Sequence, residues 1–236
     1  MKKIAVITGA NRGLGLALSE AMAQRGFKVL MAMRNPDKAQ KTLNTLTMKG
    51  LDVVPMKLDV SQEKSIHDFV EAIKREYGFV DVLVNNAGIL IDSEDGGNSS
   101  IFKTKASTLQ KSFATNTMGP FLLTQKIFPL MKQEGYGRIV NVSSNMAQLS
   151  EKQKSSASYR ISKTALNMVT NLFASEVQGE DICVNSVSPG WVRTDMGGPN
   201  ADRSLDQGIK GILWAATLPK GGPNGGFFRD GEPLSW

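Results

Sequence analysis

What most limits the folds open to this chain is its alternation of short β-branched runs with longer amphipathic ones. Ile4–Thr8, Val29–Met33, Val53–Leu58, Val82–Val84, Ile139–Val142 and Ile182–Val187 are apolar stretches of strand length, continuous enough to be buried on both faces. Between them, roughly Gly13–Arg25, Pro36–Met48, Gln62–Tyr77, Ser107–Lys132 and Ala157–Gln178 carry helical periodicity. A further helix over about Ser204–Thr217 and a last strand near Gly226–Arg229 complete the pattern. Parallel strands need crossover connections, so a repeated βαβ rhythm builds a parallel sheet covered by helices. The expected fold is α/β: a single Rossmann-type doubly wound parallel sheet of about seven strands, with helices on both faces.

At 236 residues the chain lies within the range of one α/β domain with one large core. It holds no linker rich in Pro, Gly or Ser, so residues 1–236 read as one domain. Two irregular segments stand out, 91–104 with Gly96-Gly97 and 191–203 with Gly197-Gly198-Pro199-Asn200. In an open α/β sheet the ligand lies beyond the carboxyl ends of the strands, which makes both segments candidate substrate loops.

Composition narrows the chemistry. The apolar runs are too short to span a bilayer, and the start Met-Lys-Lys-Ile-Ala-Val-Ile-Thr-Gly lacks a small-residue cleavage site; a cytoplasmic location is expected. The one cysteine, Cys183, sits in an apolar strand run with no basic neighbour and reads as a structural thiol. The one histidine, His67, falls in a charged helical stretch and reads as a surface residue. One His and one Cys make neither a zinc set nor a histidine-based triad. Acid–base chemistry therefore falls to Tyr, Lys or carboxylates. The net charge of +6 is scattered, and even Lys152 and Lys154 are interrupted. That distribution fits a mild field attracting a phosphorylated cofactor better than a nucleic-acid surface.

Four motifs carry the functional argument. Thr8-Gly9-Ala10-Asn11-Arg12-Gly13-Leu14-Gly15 follows the first strand and opens a helix. Glycines let the backbone approach a pyrophosphate, and the helix N-terminus offers free N–H groups to it; a tight connection alone is the plainer alternative. The second strand ends Ala32-Met33-Arg34-Asn35, with no acid where a cofactor lacking a 2′-phosphate is usually held. Arg34 and Arg12 are instead suited to a 2′-phosphate, which points to NADP(H), although Arg34 also reads as an ordinary strand-end charge. Asn85-Asn86-Ala87-Gly88 after the fourth strand is, by itself, a turn signal. Tyr159 and Lys163 stand at i and i+4 and share a helix face. A phenol is a poor base at neutral pH, and a neighbouring ammonium lowers its pKa. The spacing is common on solvated helices; what gives it weight is the upstream strand ending Val142-Ser143-Ser144, whose hydroxyl can bond the substrate oxygen.

Taken together, these motifs resemble the short-chain dehydrogenase/reductase family over essentially the whole chain and in motif order: Thr8–Gly15, Asp59, Asn85–Gly88, Asn116, Ser144, Tyr159-x-x-x-Lys163 and Pro189-Gly190. Asn11-Arg12-Gly13 and Arg34 are similar to its carbonyl-reductase-like members. The resemblance implies Tyr159 as general acid in reduction and base in oxidation. It implies Lys163 as the group that lowers the phenol's pKa and holds the nicotinamide ribose, and Ser144 rather than Ser143 as the substrate-polarising serine. Asn116 would bend the fourth helix and order a relay water. For the cofactor, it implies Gly9, Asn11, Arg12, Gly13, Leu14 and Gly15 in the turn, Arg34 at the 2′-phosphate, and Asp59 with Val60 at the adenine. Asn86 and Gly88 would lie at the adenosine ribose side, Val192 and Thr194 at the carboxamide and diphosphate, with Ala87, Pro189 and Gly190 also among the cofactor-binding residues.

The implied activity is NADPH-dependent hydride transfer between the nicotinamide and a carbonyl or alcohol. Carbonyl reductases with a long insertion before the tyrosine depart from this chain, so a homodimer or homotetramer through helices 107–132 and 157–178 is expected rather than a monomer. No nucleic-acid or membrane partner is expected. A non-catalytic NADP(H) sensor is the alternative, but it has no need of Ser144, Tyr159 and Lys163. An extended-branch epimerase would need a larger C-terminal substrate domain, and an acyl-carrier-linked ketoacyl reductase stays open as a substrate assignment. Leu90, Gln148, Trp191 and the 92–104 loop are candidate pocket residues, and Trp236 folds either over the same edge or at an interface.

Overall fold

The computed structural model describes residues 2–95, 100–150 and 154–236; Gly96-Gly97 of the first loop and Lys152 lie outside them. The strands are β1 (Ile4–Thr8), β2 (Lys28–Met33), β3 (Val53–Lys57), β4 (Val82–Asn85), β5 (Gly137–Val142), β6 (Ile182–Val187), β7 (Phe227–Arg229) and β8 (Glu232–Pro233). They form one sheet in the order β3-β2-β1-β4-β5-β6-β7-β8. All pairings are parallel except β7–β8. β8 is the strand beyond the expected seven. It spans two residues after a turn at Asp230-Gly231, too short for any periodicity to register.

The helices are α1 (Gly13–Gln24), α2 (Gln40–Met48), α3 (Glu63–Glu76), α4 (Ala106–Phe113), α5 (Gly119–Lys132), α6 (Ala157–Glu176) and α7 (Leu205–Ala216). α2 starts later than the periodicity implies, because Asp37–Ala39 is a 3₁₀ turn. The expected helix 107–132 is α4 and α5 joined by a π-helical turn, Ala114–Met118, around Asn116. α7 opens on a capping box: Ser204 accepts the Gln207 N–H and the Gln207 side chain accepts the Ser204 N–H.

The period-two alternation of the central strands sorts their side chains into two cores. Ile4 and Val6 of β1 join Leu30, Ile66, Ile73, Leu123 and Ile127 on the α3–α5–α6 face. Ala5 and Ile7 join Met31, Leu18, Met22, Leu43 and Ile212 on the α1–α2–α7 face. Between β4, β5 and β6 the α5–α6 side also buries a polar chain. Asn85 donates to Thr124 (3.2 Å) and to Asn141 (2.8 Å), Asn141 donates to Thr170 (2.8 Å), and Thr170 shares a hydrogen bond with Ser186 (2.8 Å). Buried amides leave a penalty unless paired, so this chain admits one register, Asn85↔Asn141↔Ser186. At the opposite end of the sheet Arg138, fully buried, donates to the Leu218, Gly137 and Asp181 carbonyls and to the Asp181 carboxylate, each at 2.8 Å.

The order reverses at β1, which pairs with both β2 and β4. Loops after adjacent strands on either side of such a switch point diverge and open a crevice at the carboxyl edge. Among the described residues no helix is long and apolar enough to cross a membrane. His67 is exposed on α3, and Cys183 is buried in β6.

Candidate active site

A cleft of about 1270 Å³ fills that crevice. One wall is the turn between β1 and α1. Thr8 ties it to the end of β4: its hydroxyl accepts the N–H groups of Asn86 (3.0 Å) and Ala87 (2.9 Å), and its carbonyl accepts the Asn86 side-chain amide (2.7 Å). Gly9 takes φ +66, and a Cβ on Gly15 would lie 2.3 Å from the Gly9 carbonyl oxygen and 2.6 Å from Asn86 Nδ2. Both positions therefore require glycine, for a left-handed turn and for close approach. No side chain caps the start of α1 and no acid stands in its first turn. Its leading N–H groups make a partial positive charge at the cleft, the arrangement that binds phosphate.

Gly9, Asn11, Arg12, Gly13, Leu14, Gly15, Arg34, Asp59, Val60, Asn86, Ala87, Gly88, Pro189, Gly190, Val192 and Thr194 all line this cleft, as do Ser144, Tyr159 and Lys163. Arg34 is exposed at the end of β2. The Asp59 carboxylate is engaged by the Ser61 N–H (3.0 Å) and hydroxyl (2.7 Å). Arg12 reaches across the mouth to an ion pair with Asp195, joining the glycine turn to the loop after β6.

The opposite end holds the reactive groups. β5 ends at Val142; Ser143 turns inward to donate to Asn167 (2.7 Å), whereas Ser144 turns to the cleft and accepts the Met146 N–H (3.1 Å). Tyr159, on the first turn of α6, lines the cleft beside Ser144. Lys163 follows one turn later, 3% exposed, and donates to the Val142 carbonyl (2.6 Å). Burial pushes the phenol above its usual pKa, opposed by the Ser144 hydrogen bond, and burial lowers the Lys163 ammonium from 10.5 to about 8. The expected lowering of the phenol by the lysine is thus corrected: burial raises it instead. The ammonium lies 5.9 Å from the ring centroid, and the loss of water around both groups dominates.

Asn116 is the one expected site residue outside the cleft wall. It is fully buried, accepts the Ile89 N–H (2.8 Å) and donates to the Ile89 carbonyl (2.9 Å) and Ser162 hydroxyl (3.0 Å). It joins the segment after β4 to α6. Leu90 and Trp191 line the cleft. Gln148 does not: its amide donates to the Ser235 carbonyl (3.0 Å), tying down the C-terminus, where Trp236 stacks on Phe227 at 5.7 Å. The described residues of 92–104 are also absent from the wall, because Asp92–Asp95 folds into a 3₁₀ turn against α4 and α6. Lys111, Met146, Arg193 and Met196 line the cleft without having carried a motif. Lys111 stands one helical turn before Thr115, and Met146 two residues past Ser144, so adjacency to the motifs was the one available signal.

Residues 3–204 match the family model described as short chain dehydrogenase. The chain belongs to the short-chain dehydrogenase family. It is 32% identical over 230 residues to a short-chain dehydrogenase of Penicillium roqueforti, covering 92% of this chain and 89% of that one. It is 28% identical to carbonyl reductase [NADPH] 1 of Mus musculus over 281 residues, 100% of this chain and 99% of that protein. Among solved structures, an NADPH-bound carbonyl reductase from chicken fatty liver superimposes with a TM-score of 0.88 at 28% identity, over 100% of this chain and 99% of that one. In this short-chain dehydrogenase the glycine turn, Ser144 and Tyr159-x-x-x-Lys163 stand on the loop after β1, just past the end of β5 and at the start of α6.

Proposed function

We propose that the protein is an NADPH-dependent carbonyl reductase, transferring a hydride between the nicotinamide and a carbonyl–alcohol pair with Tyr159 as general acid–base. The observation that carries it is the gathering of Ser144, Tyr159 and buried Lys163 in the same cleft as the glycine turn. The residues fit a dinucleotide: Gly15 leaves the space a Cβ would fill, the first turn of α1 has no side-chain cap, and Arg12 and Arg34 face the same cleft. Arg12 and Arg34 would hold the 2′-phosphate, Asp59 and Val60 the adenine, Asn86–Gly88 the adenosine ribose side, and Pro189–Thr194 the nicotinamide end. The relatives named carbonyl reductase [NADPH] support the same cofactor.

When bound, the cofactor supplies the hydride that goes to the carbonyl carbon. Ser144 bonds the carbonyl oxygen and polarises it, and Tyr159 Oη gives its proton to that oxygen as negative charge develops there. A phenol held protonated by burial is in the right state to be a donor. Lys163, whose ammonium burial lowers to about 8, is still largely charged at neutral pH and stabilises the phenolate left behind. Asn116 holds the segment that forms the wall at Ile89. The enzyme works in the cytoplasm as a homo-oligomer through α4–α5 and α6, whose outer side exposes Met118, Ile161, Met168 and Leu172.

The test is NADPH consumption against a panel of aldehydes, ketones and quinones. Tyr159→Phe is expected to keep NADPH affinity while kcat falls on the order of 100-fold or more, the usual scale of general acid catalysis. Full activity in that variant would remove Tyr159 from the chemistry, and a wild type that binds NADPH without turnover on any carbonyl would favour a sensor.

A further inference from the structure

The segment that leaves the cleft after Leu90 runs to the start of the helix carrying Tyr159. Ile89 is clasped by Asn116, and three residues on, Asp92 begins a one-turn 3₁₀ helix. Its carboxylate is 5% exposed and aimed at the first turn of α6: one oxygen accepts the Ser158 N–H at 2.8 Å, the other the N–H of Tyr159 itself at 3.3 Å. The next acid on the same turn, Asp95, performs a parallel task at α4, accepting the Lys105 N–H (2.9 Å) and the Thr108 hydroxyl (3.0 Å). The two helices are then joined directly by the Ser112–Ser158 hydroxyl pair at 3.2 Å. One short acidic turn thus fastens the starts of both helices that flank the reactive end of the cleft.

A carboxylate across the leading amides of a helix satisfies orphan donors and opposes the partial positive charge there. Ordinary caps come from the residue just before the helix; this one comes from 66 residues upstream. The hold therefore fixes α6 relative to the cleft wall, and it does so at the residue whose phenol must meet both Ser144 and the substrate. Errors of about 1 Å at a reacting group cost on the order of 100-fold in rate. We propose that Asp92 is a positioning residue for Tyr159, setting the rate of proton transfer without contributing to cofactor affinity. This rests on the reading of Tyr159 as the proton donor.

Wild type, Asp92→Ala, Asp92→Asn and Tyr159→Phe are compared by steady-state kinetics on a carbonyl the wild type reduces. NADPH Kd is taken from nicotinamide fluorescence, and hydrogen exchange is followed at the start of α6. Asp92→Ala is expected to lose about 10- to 100-fold in kcat with NADPH Kd within about threefold of wild type, and to exchange the Ser158 and Tyr159 amides faster. Asp92→Asn keeps one acceptor oxygen and is expected to lose only about 3- to 10-fold. Either folded variant with kcat within about twofold of wild type overturns the proposal, as does a parallel loss of kcat and NADPH binding, which marks a merely structural role. Should Asp92→Ala fail to fold, the Asp92→Asn values decide alone. An inactive Tyr159→Phe beside a fully active Asp92→Ala removes this proposal only. A wild type without turnover removes the reading of Tyr159 and this proposal with it.

Discussion

Arg34 is the residue on which, in the proposed reading, cofactor choice turns. It stands exposed at the end of β2, lines the cleft and forms no ion pair among the described residues, whereas Arg12 is already engaged with Asp195. A bidentate guanidinium–phosphate contact is worth about 1.5–3 kcal/mol, or roughly 10- to 100-fold in affinity. Arg34→Asp is expected to weaken NADPH by that factor and to bring NADH level with it or ahead; equal wild-type affinities for the two would contradict the assignment. Lys163 supplies a second prediction at this scale. Its folded pKa of about 8 lies below the unfolded 10.5, so between those values the unfolded chain binds more protons and stability rises with pH. The gradient is at most about 1.4 kcal/mol per pH unit. Below pH 8 both states are protonated and the cost of the buried ammonium stands in full. The raised Tyr159 acts with the opposite sign, and only above its ordinary value of 10.0. Urea unfolding of wild type against Lys163→Met should therefore show the wild type gaining between pH 8 and 10, and a flat difference would mean the amine is not desolvated.

The elements meet the site through close approaches that periodicity cannot register. Gly15 sits where a methyl group would press on the Gly9 carbonyl and the Asn86 side-chain amide, the amide being held on the Thr8 carbonyl. Gly15→Ala should cost about 1–3 kcal/mol by overpacking and weaken NADPH binding, read by thermal unfolding and by fluorescence titration. A fully stable variant with unchanged affinity would show that α1 does not need this contact. The helix over 107–132 was readable from its periodicity, but its π turn was not, because no proline or glycine in Ala114–Met118 announces a break; only the family resemblance put a bend at Asn116. The turn coincides with tertiary anchors: Asn116 on Ile89 and Ser162, Thr117 on the Ser162 carbonyl at 2.8 Å, and Gly119 against the Val60 carbonyl. β8 escaped notice for the same reason, being defined by its pairing with β7.

On the scale of the molecule, α6 leaves Ile161, Met168 and Leu172 exposed at 43%, 58% and 59%. The spacing of i, i+7 and i+11 puts them on one face, with the exposed Met118 on the neighbouring π turn. This apolar face is where the proposed homo-oligomer would associate. Light scattering should give a dimer or tetramer, and Met168→Glu with Leu172→Glu should shift it to monomer by burying like charge at the contact. A wild-type monomer at high concentration would remove this interface.

By itself the sequence determined the βαβ rhythm, the two buried faces of the sheet, the glycine turn and the absence of an acid after β2. Each of these is local, because strand and helix periods and the steric freedom of glycine act over a few residues. Tertiary structure alone decided that Tyr159 and Ser144 share one cleft, that Lys163 is sealed from water, that Gln148 serves the C-terminus and not the pocket, and that Asp92 caps the helix of Tyr159. These depend on distances between residues far apart in the chain, and the Tyr-x-x-x-Lys spacing is equally at home on a solvated helix. Its surroundings, supplied by β5 and the segment after β4, turn that spacing into a site.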